Sequence, residues 1–248
     1  MSIISTRIRR PITFYRSSPL PCPYIPGKLE RKLFTRLPDP DTSNVNGLLT
    51  AGGFRRSHDF VYRPVCENCM ACKPVRIDTT GFKLSRNDRK QMKRNADLVM
   101  IERPPHATSE QYRLFARYQY MRHGDGDMAA MGPDDYAGMI EEGASNTRVV
   151  EWRLGDERGR LLAVMLVDVT GDGYSAVYSF FEPEEEGRSL GRFMVLDMAR
   201  KAKAEHLPYL YLGYYIAESK KMNYKTRFKP LEVLERGRWV PMVQDEQE

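Results

Sequence analysis

Cys66, Cys69 and Cys72 stand in a C-x2-C-x2-C run, and Cys22 lies upstream of them. Gaps of two residues let a tight loop turn successive thiolates toward one point, as zinc and iron–sulfur sites require. Pro19, Pro21, Pro23, Pro26 and Gly27 enforce an extended, irregular path around Cys22. Folded against the later loop, that segment would gather Cys22, Cys66, Cys69 and Cys72 as four sulfur ligands. The spacing leaves three readings open: a zinc ion, an iron–sulfur cluster, or reduced thiols in a loop held by packing. No cysteine has the neighbouring histidine and acid of a nucleophilic triad, and His58, beside Asp59, reads as an ordinary strand residue.

A second set of residues could bind phosphate. Lys83, Arg86, Arg89, Lys90, Lys93 and Arg94 are answered only by Asp88 over residues 83–94. On a helix, Arg86, Lys90 and Lys93 share a face, with Arg89 and Arg94 flanking it. A solvated charged face is the bland reading, but such faces normally mix acids among the bases. The single sign points instead to phosphate contacts, which position a nucleic acid without reading its bases. Further on, Tyr209, Tyr211, Tyr214, Tyr215 and Tyr224 are interleaved with Lys220, Lys221, Lys225 and Arg227. Rings beside cations suit a single-stranded nucleotide end, although part of this tyrosine run belongs to sheet packing.

The elements that must hold these groups follow from pattern. Ser85, with Asp88 three residues on, caps a helix around residues 86–94. Residues 38–47 read as a polar, mobile loop, residues 54–64 as strand-like, and residues 75–77 as a short strand. A strand over 98–101 stops at Pro104 and Pro105. Thr108 and Gln111 resemble a capping box for a helix that runs to Gly124, and a second helix spans 133–143. Then come a strand with Val150, Trp152 and Leu154 on one side, a buried strand over 161–169, and a Gly171-Asp172-Gly173 hairpin turn into 174–181. A glycine-bearing loop, a helix with Val195, Met198, Ala199 and Ala202 on one face, a strand over 209–216 and a hairpin turned at Arg236-Gly237 complete the chain.

Strand, hairpin, loop, helix, strand in this order is the core pattern of the Gcn5-related acetyltransferase-like fold. It implies a two-lobed α+β architecture with mixed, mostly antiparallel sheets. The boundary near residue 125 separates an N-terminal lobe, 1–125, with the cysteine loop and basic helix, from an acetyltransferase-like lobe, 126–248. Acetyl-CoA itself is disfavoured. Glu184, Glu185 and Glu186 stand beside Gly187 and Gly191, where such enzymes hold a pyrophosphate on backbone amides, and three carboxylates there would repel it.

Composition narrows the class. The 248 residues are 41% hydrophobic and 29% charged, a globular balance. The longest apolar run covers residues 161–167, far short of the roughly 20 residues that cross a bilayer. Arg7, Arg9 and Arg10 precede no apolar signal segment, so a cytoplasmic location is expected. A net charge of +6 and a pI near 9.1 favour a polyanionic partner.

Several long motifs together resemble the arginyl-tRNA–protein transferase family, most closely its bacterial, leucine-transferring branch. They are Cys22-Pro23-Tyr24-Ile25-Pro26-Gly27, the stretch 53–66 with 69–76, the stretch 82–95, Tyr211-Leu212-Gly213-Tyr214-Tyr215-Ile216 and Lys221-Met222-Asn223-Tyr224-Lys225. The likeness covers nearly the whole chain. Eukaryotic members carry a second early cysteine where Ile25 stands here, while Cys66 and Cys69 supply an additional pair.

The resemblance implies transfer of leucine from Leu-tRNA to the N-terminal Asp or Glu of a protein, marking it for degradation, in the acetyltransferase-like lobe. No cofactor is required for such a transfer, because the aminoacyl ester is already activated, and this fits the absence of a catalytic triad. The acceptor carboxylate needs a cation, ideally a bidentate guanidinium. Arg55, Arg56 and Arg76 flank the cysteine loop and are the candidates, with Lys73 in reserve. Tyr214, Lys221, Tyr224 and Lys225 are assigned to the acceptor end of the tRNA, and Arg86, Arg89, Lys90, Lys93 and Arg94 to its outer phosphates. No residue stands out as the general base. The rival readings are an arginyl-tRNA user of the same family, an acetyl-CoA-dependent N-acetyltransferase, and a non-catalytic zinc-containing RNA-binding protein.

Overall fold

The computed structural model of the chain describes residues 11–37, 42–124, 126–144, 146–219 and 222–243. Strands β1 (Tyr15–Arg16), β2 (Leu20–Pro21), β3 (Leu29–Glu30) and β4 (Lys32–Arg36) precede helix α1 (Thr42–Ala51). Next come β5 (Arg55–Ser57), β6 (Phe60–Pro64), β7 (Lys73–Asp78), α2 (Arg86–Arg94), β8 (Leu98–Arg103), α3 (Ser109–His123) and α4 (Pro133–Glu141). The remainder is β9 (Thr147–Leu154), β10 (Leu161–Thr170), β11 (Gly173–Phe181), α5 (Leu190–Ala204), β12 (Tyr209–Tyr215), β13 (Leu231–Glu235) and β14 (Arg238–Pro241).

An eight-stranded sheet, in the order β14-β13-β7-β12-β11-β10-β9-β8, carries the core. Every neighbouring pair in it is antiparallel except β11 with β12. The α+β class with a mixed, mostly antiparallel sheet is thus the observed one. Two of the strands, β7 and β8, come from before residue 125 and the rest from after it. A smaller sheet, β1-β4-β6-β5, packs beside it, and β2 pairs only with β3. None of the helices among the described residues is long and apolar enough to cross a membrane.

Strand β10 reads as an unbroken apolar run because both of its faces are covered. Leu162, Met165 and Val167 join the cluster built around Phe193, Met194 and Met198 of α5, while Leu161, Val164 and Leu166 meet Leu114 and Phe115 of α3 and Tyr136 and Ile140 of α4. Helix α2 begins as its sequence predicts: the Ser85 hydroxyl accepts from the Asp88 amide, and the Asp88 carboxylate accepts from the Ser85 amide. Thr108 and Gln111 make the same reciprocal pair at the start of α3.

One expectation about the first half needs correction. Residues 42–47, read as loop, lie in α1; residues 38–41 fall outside the described set. Local propensity is poor there, but Val45 and Asn46 are buried, and Gly47 lies so close to the β10–β11 turn that an added Cβ would sit 3.7 Å from Thr170 and Gly171. Tertiary packing outweighs propensity in such a helix. The strand-like stretch 54–64 is a hairpin, β5 and β6, turned at His58 with φ of +54°. Strands β1, β2 and β3, of two residues each, are too short for periodicity to reveal them.

Candidate active site

The sheet opens at its one parallel step. β11 and β12 pair only through Gly173–Tyr209, Tyr174–Leu210 and Ser175–Tyr211. Beyond that point β11 stays on β10 and β12 follows β7. Each strand also bulges as it leaves the other. The β10–β11 register passes from Val167–Ala176 to Leu166–Tyr178, skipping Val177, and the β7–β12 register passes from Arg76–Tyr211 to Val75–Gly213, skipping Leu212. A bulged residue drops out of the ladder and needs another partner for its backbone. Arg55 supplies it for both: Nη2 donates to the Val177 carbonyl at 2.9 Å and Nη1 to the Leu212 carbonyl at 3.4 Å. One guanidinium therefore bridges the two strands where they part.

Gly213 makes room for it. Its φ is +74°, and a Cβ at this position would stand 1.6 Å from Arg55 Nη1. No side chain but glycine's satisfies both conditions.

Strand alternation sends the next residue the opposite way. Arg56 is buried, and its Nε and Nη2 donate to Asp168 Oδ2 and Oδ1 at 2.6 and 2.8 Å, while Nη1 donates to the His58 carbonyl at 2.8 Å. Asp168 also accepts from Asn46 Nδ2 and from the Thr147 hydroxyl, each at 2.8 Å. This cluster ties β5 to α1, β9 and β10, and so fixes where Arg55 stands.

A cleft of about 470 Å³ opens beside Arg55. Its lining combines polar groups, Arg55, Tyr24, Tyr62, Tyr178 and Lys225, with an apolar set of Met128, Met131, Met139, Met165 and Met222 beside Leu166, Val177, Val195 and Leu212. No carboxylate lines it among the described residues. Lys225, on the 3-10 turn Asn223–Arg227, is only 4% exposed, and its Nζ donates to the Tyr214 carbonyl and lies 3.5 Å from Met222 Sδ. Burial, and after it the charge of Arg55, hold its ammonium well below the usual lysine range. Tyr224 lines the same cleft with part of its ring exposed.

Comparison with known proteins bears on what such a cleft belongs to. Residues 20–90 match the model of the arginine-tRNA-protein transferase N terminus, and residues 110–235 match that of its C terminus. A protein of Granulibacter bethesdensis named aspartate/glutamate leucyltransferase is 47% identical over 240 residues, covering 97% of this chain and 89% of the relative. One of the same name from Rhodopseudomonas palustris is 49% identical, covering 92% of this chain and 91% of the relative. The chain belongs to the arginine-tRNA-protein transferase family. Among solved structures it is similar to the GCN5-related glucosamine N-acetyltransferase region of a fungal multi-domain β-N-acetylglucosaminidase, with 13% identity, a TM-score of 0.44, and coverage of 81% of this chain and 23% of that one.

Within this transferase the expected acceptor-binding residues separate. Arg55 lines the cleft with a charged fork only partly used by carbonyls. Arg56 borders the cleft too, but its guanidinium nitrogens are already engaged by Asp168, Thr147 and the His58 carbonyl, and its side chain is 1% exposed. Arg76 also departs from expectation: Nε donates to Glu232 at 2.7 Å, Nη1 donates to the Tyr211 hydroxyl at 3.2 Å, and the guanidinium lies between the rings of Tyr209 and Trp239 at 3.3 and 4.3 Å. Its partners are cross-strand neighbours on β12, β13 and β14 of the same sheet, and it does not line the cleft. Lys73 forms an exposed ion pair with Glu235 at 2.8 Å.

The expected nucleic-acid residues divide as well. Tyr224 and Lys225 reach the cleft, and Lys221 lies outside the described residues. Tyr214 does not itself line the cleft. Its ring is buried, and its hydroxyl has the Gly53 and Tyr62 carbonyls, at 3.0 and 3.1 Å, as acceptors. Arg86, Arg89, Lys90, Lys93 and Arg94 are all exposed on α2. The helix is docked by its other side: Gln91 and Asn95 donate to the Arg188 carbonyl, Arg94 donates to that of Gly187 at 2.6 Å, and Asp88 pairs with Arg192 of α5 at 2.6 Å. Arg188, the cation of the glutamate-flanked loop, has its fork on Asp97, with both bonds at 2.7 Å.

The four cysteines share one neighbourhood but do not form the metal site that their spacing allowed as one of three readings. Burial, and then the Cys66, Cys22 and Cys69 sulfurs, push the Cys72 thiol up to about 12, so it stays protonated. Arg31 donates its amide to Cys66 Sγ at 3.5 Å, and Lys28 Nζ lies 3.8 Å from Cys69 Sγ. Among the described residues no three Cys, His, Asp or Glu side chains converge tightly enough to hold a metal ion. In this arrangement the residues do not fit a bound zinc or iron–sulfur cluster.

Sequence reasoning missed the two bulges, the role of Gly213 and the methionine wall. A glycine inside a tyrosine-rich strand was the available signal, since it marks a bulge or a close approach. The methionines come from four separate stretches of chain and carry no local signal.

Proposed function

We propose that this transferase moves leucine from Leu-tRNA to the α-amine of proteins beginning with Asp or Glu, creating a degradation signal, and that the cleft between β11 and β12 is where ester and amine meet. The carrying observation is the chemistry of its walls. A leucyl side chain fits a methionine-rich surface, and methionine adapts its shape to such a group. An arginyl side chain would bring a guanidinium into a cleft that already faces Arg55 and Lys225 and has no carboxylate among its described lining residues, and an unpaired buried charge is strongly disfavoured.

Arg55 answers the acceptor. Its fork is held in place by the two bulge carbonyls, and its remaining N–H groups suit the side-chain carboxylate of an N-terminal Asp or Glu. Tyr224 offers a partly exposed ring on which the terminal base of the tRNA stacks. Arg86, Lys90 and Lys93 form no ion pair among the described residues and suit phosphates of the tRNA body. On this division of labour, residues 1–125 supply the acceptor cation and the basic helix, and residues 126–248 supply the methionine wall and the aminoacyl end. The chemical task is modest. The enzyme aligns amine and ester, keeps the amine neutral and shields the oxyanion, and alignment contributes the larger share.

The deciding assay offers the purified protein labelled Leu-tRNA or Arg-tRNA with peptides beginning Asp, Glu, Lys or Ala. Label passing from Leu-tRNA to the Asp and Glu peptides alone is the expected result. Transfer from Arg-tRNA at an equal rate, or equal labelling of all four peptides, would overturn the reading.

A further inference from the structure

Lys225 is a buried lysine with no counter-ion among the described residues. Its Nζ partners are a carbonyl and a thioether sulfur, and neither holds a positive charge as a carboxylate would. The ionisable groups that line the cleft with it, among the described residues, are Arg55 and Arg56 of β5, His58 in the following turn, Tyr62 of β6, Tyr178 of β11 and the adjacent Tyr224, with Tyr24 from the N-terminal loop. None is an acid that is charged at neutral pH. Burying an ammonium in such surroundings is costly, whereas a neutral amine can still donate to the Tyr214 carbonyl while turning its lone pair to the cleft. The direction of its titration, lowered first by burial and then by Arg55, agrees with that geometry.

The leucyl-transfer reading requires such a group. An acceptor α-amine has an unperturbed pKa of roughly 7.7–8.0 and arrives near neutrality mostly as an ammonium, which cannot attack an ester. Arg55, placed to draw the acceptor carboxylate inward, stands in the same cleft as the lysine. Resting on that reading, we propose that Lys225 is the general base of the transfer, a catalytic residue whose Nζ takes the proton from the acceptor α-ammonium.

The protons balance as follows. The acceptor ammonium gives one proton to Lys225 Nζ, which becomes an ammonium. The freed amine adds to the ester carbonyl, forming the new C–N bond and an oxyanion. As the C–O bond to the tRNA ribose breaks, the Lys225 ammonium returns its proton to the departing ribose oxygen. The surplus proton on the new amide nitrogen leaves to water. The lysine ends as the neutral amine with which it began.

The test uses single-turnover transfer from Leu-tRNA to an Asp peptide at saturating acceptor, followed against pH. In the unsubstituted protein the rate should hold below the acceptor's own range of roughly 7.7–8.0 and fall only at a lower pH. Lys225→Gln should slow transfer at pH 7 by about 100- to 10,000-fold, as expected for loss of a general base, and recover part of that loss as pH rises to 9, with Leu-tRNA affinity within about threefold of normal. Lys225→Arg, which keeps the charge but has no base, should be equally slow. Activity retained by Lys225→Arg would make the residue a simple cation and overturn the assignment, as would a pH-independent loss in Lys225→Gln. If Lys225→Gln fails to fold, the profile of the unsubstituted protein decides alone, and a fall that tracks the acceptor's own titration rejects the base. Failure of the unsubstituted protein to transfer leucine at all would instead remove the functional reading, and this inference with it.

Discussion

Arg55 donates to two carbonyls that its own strand does not supply, so its position depends on both halves of the opened sheet. Replacing it tests binding and geometry together. Arg55→Lys keeps the charge but loses the fork. It should lower kcat/KM for Asp and Glu peptides by roughly 10- to 100-fold, the equivalent of the roughly 1.5–3 kcal/mol of a hydrogen bond to a charged group. Affinity for Leu-tRNA, measured by filter binding, should change little. Arg56 behaves differently because both members of its pair are 1% exposed at the side chain. Arg56→Ala would leave Asp168 buried without its cation and should destabilise the fold by about 3–5 kcal/mol, read as a lower urea midpoint. The two adjacent arginines thus separate by assay: one variant loses acceptor use, the other loses stability.

At the scale of elements, α2 is the clearest case of a segment whose two sides do different work. Its exposed cations should report through salt. Arg86→Ala combined with Lys90→Ala and Lys93→Ala should weaken tRNA binding and flatten the plot of log affinity against log salt, by roughly 0.7–0.9 for each phosphate that is no longer neutralised. Unchanged slopes would place the tRNA elsewhere. The docked side is held by Asp88. Burial by itself would raise this carboxyl, but the bonds from Ser85 and Arg192 outweigh it and keep it below the usual carboxylate range. A depressed folded-state pKa gives stability that is complete above the unfolded value of roughly 3.9 and is lost as pH falls through the folded one. Thermal melts of Asp88→Asn and the unsubstituted protein should therefore differ at pH 6 and converge in strong acid.

At the scale of the whole molecule, the central sheet interleaves distant stretches of chain. β7 lies between β13 and β12, and β8 borders β9, so a fragment comprising residues 126–248 lacks one strand from the middle of its sheet and one from its edge. Expressed alone, it should give an expanded species with poor near-ultraviolet dichroism, and adding residues 1–125 in trans should restore it; a cooperative melt of the isolated fragment would contradict this. Much of the molecule follows from local chemistry. The caps at Ser85 and Thr108, the buried run of β10, the hairpin turns and the one-sided charge of α2 are each written within a few neighbouring residues, and motif order alone marks the family. The cleft could not be read this way. Whether Arg55 or Arg56 faces a substrate depends on which side of β5 meets Asp168, more than a hundred residues on. Tyr214 and Tyr224 look alike in sequence, yet one ring is enclosed and the other opens to the cleft. The spacing of the cysteines brings them near one another without making a metal site. Spacing along a chain sets which groups can meet, but the partner that claims each donor or excludes water from each ring comes from elsewhere in the chain, and only the packed structure brings that partner into place.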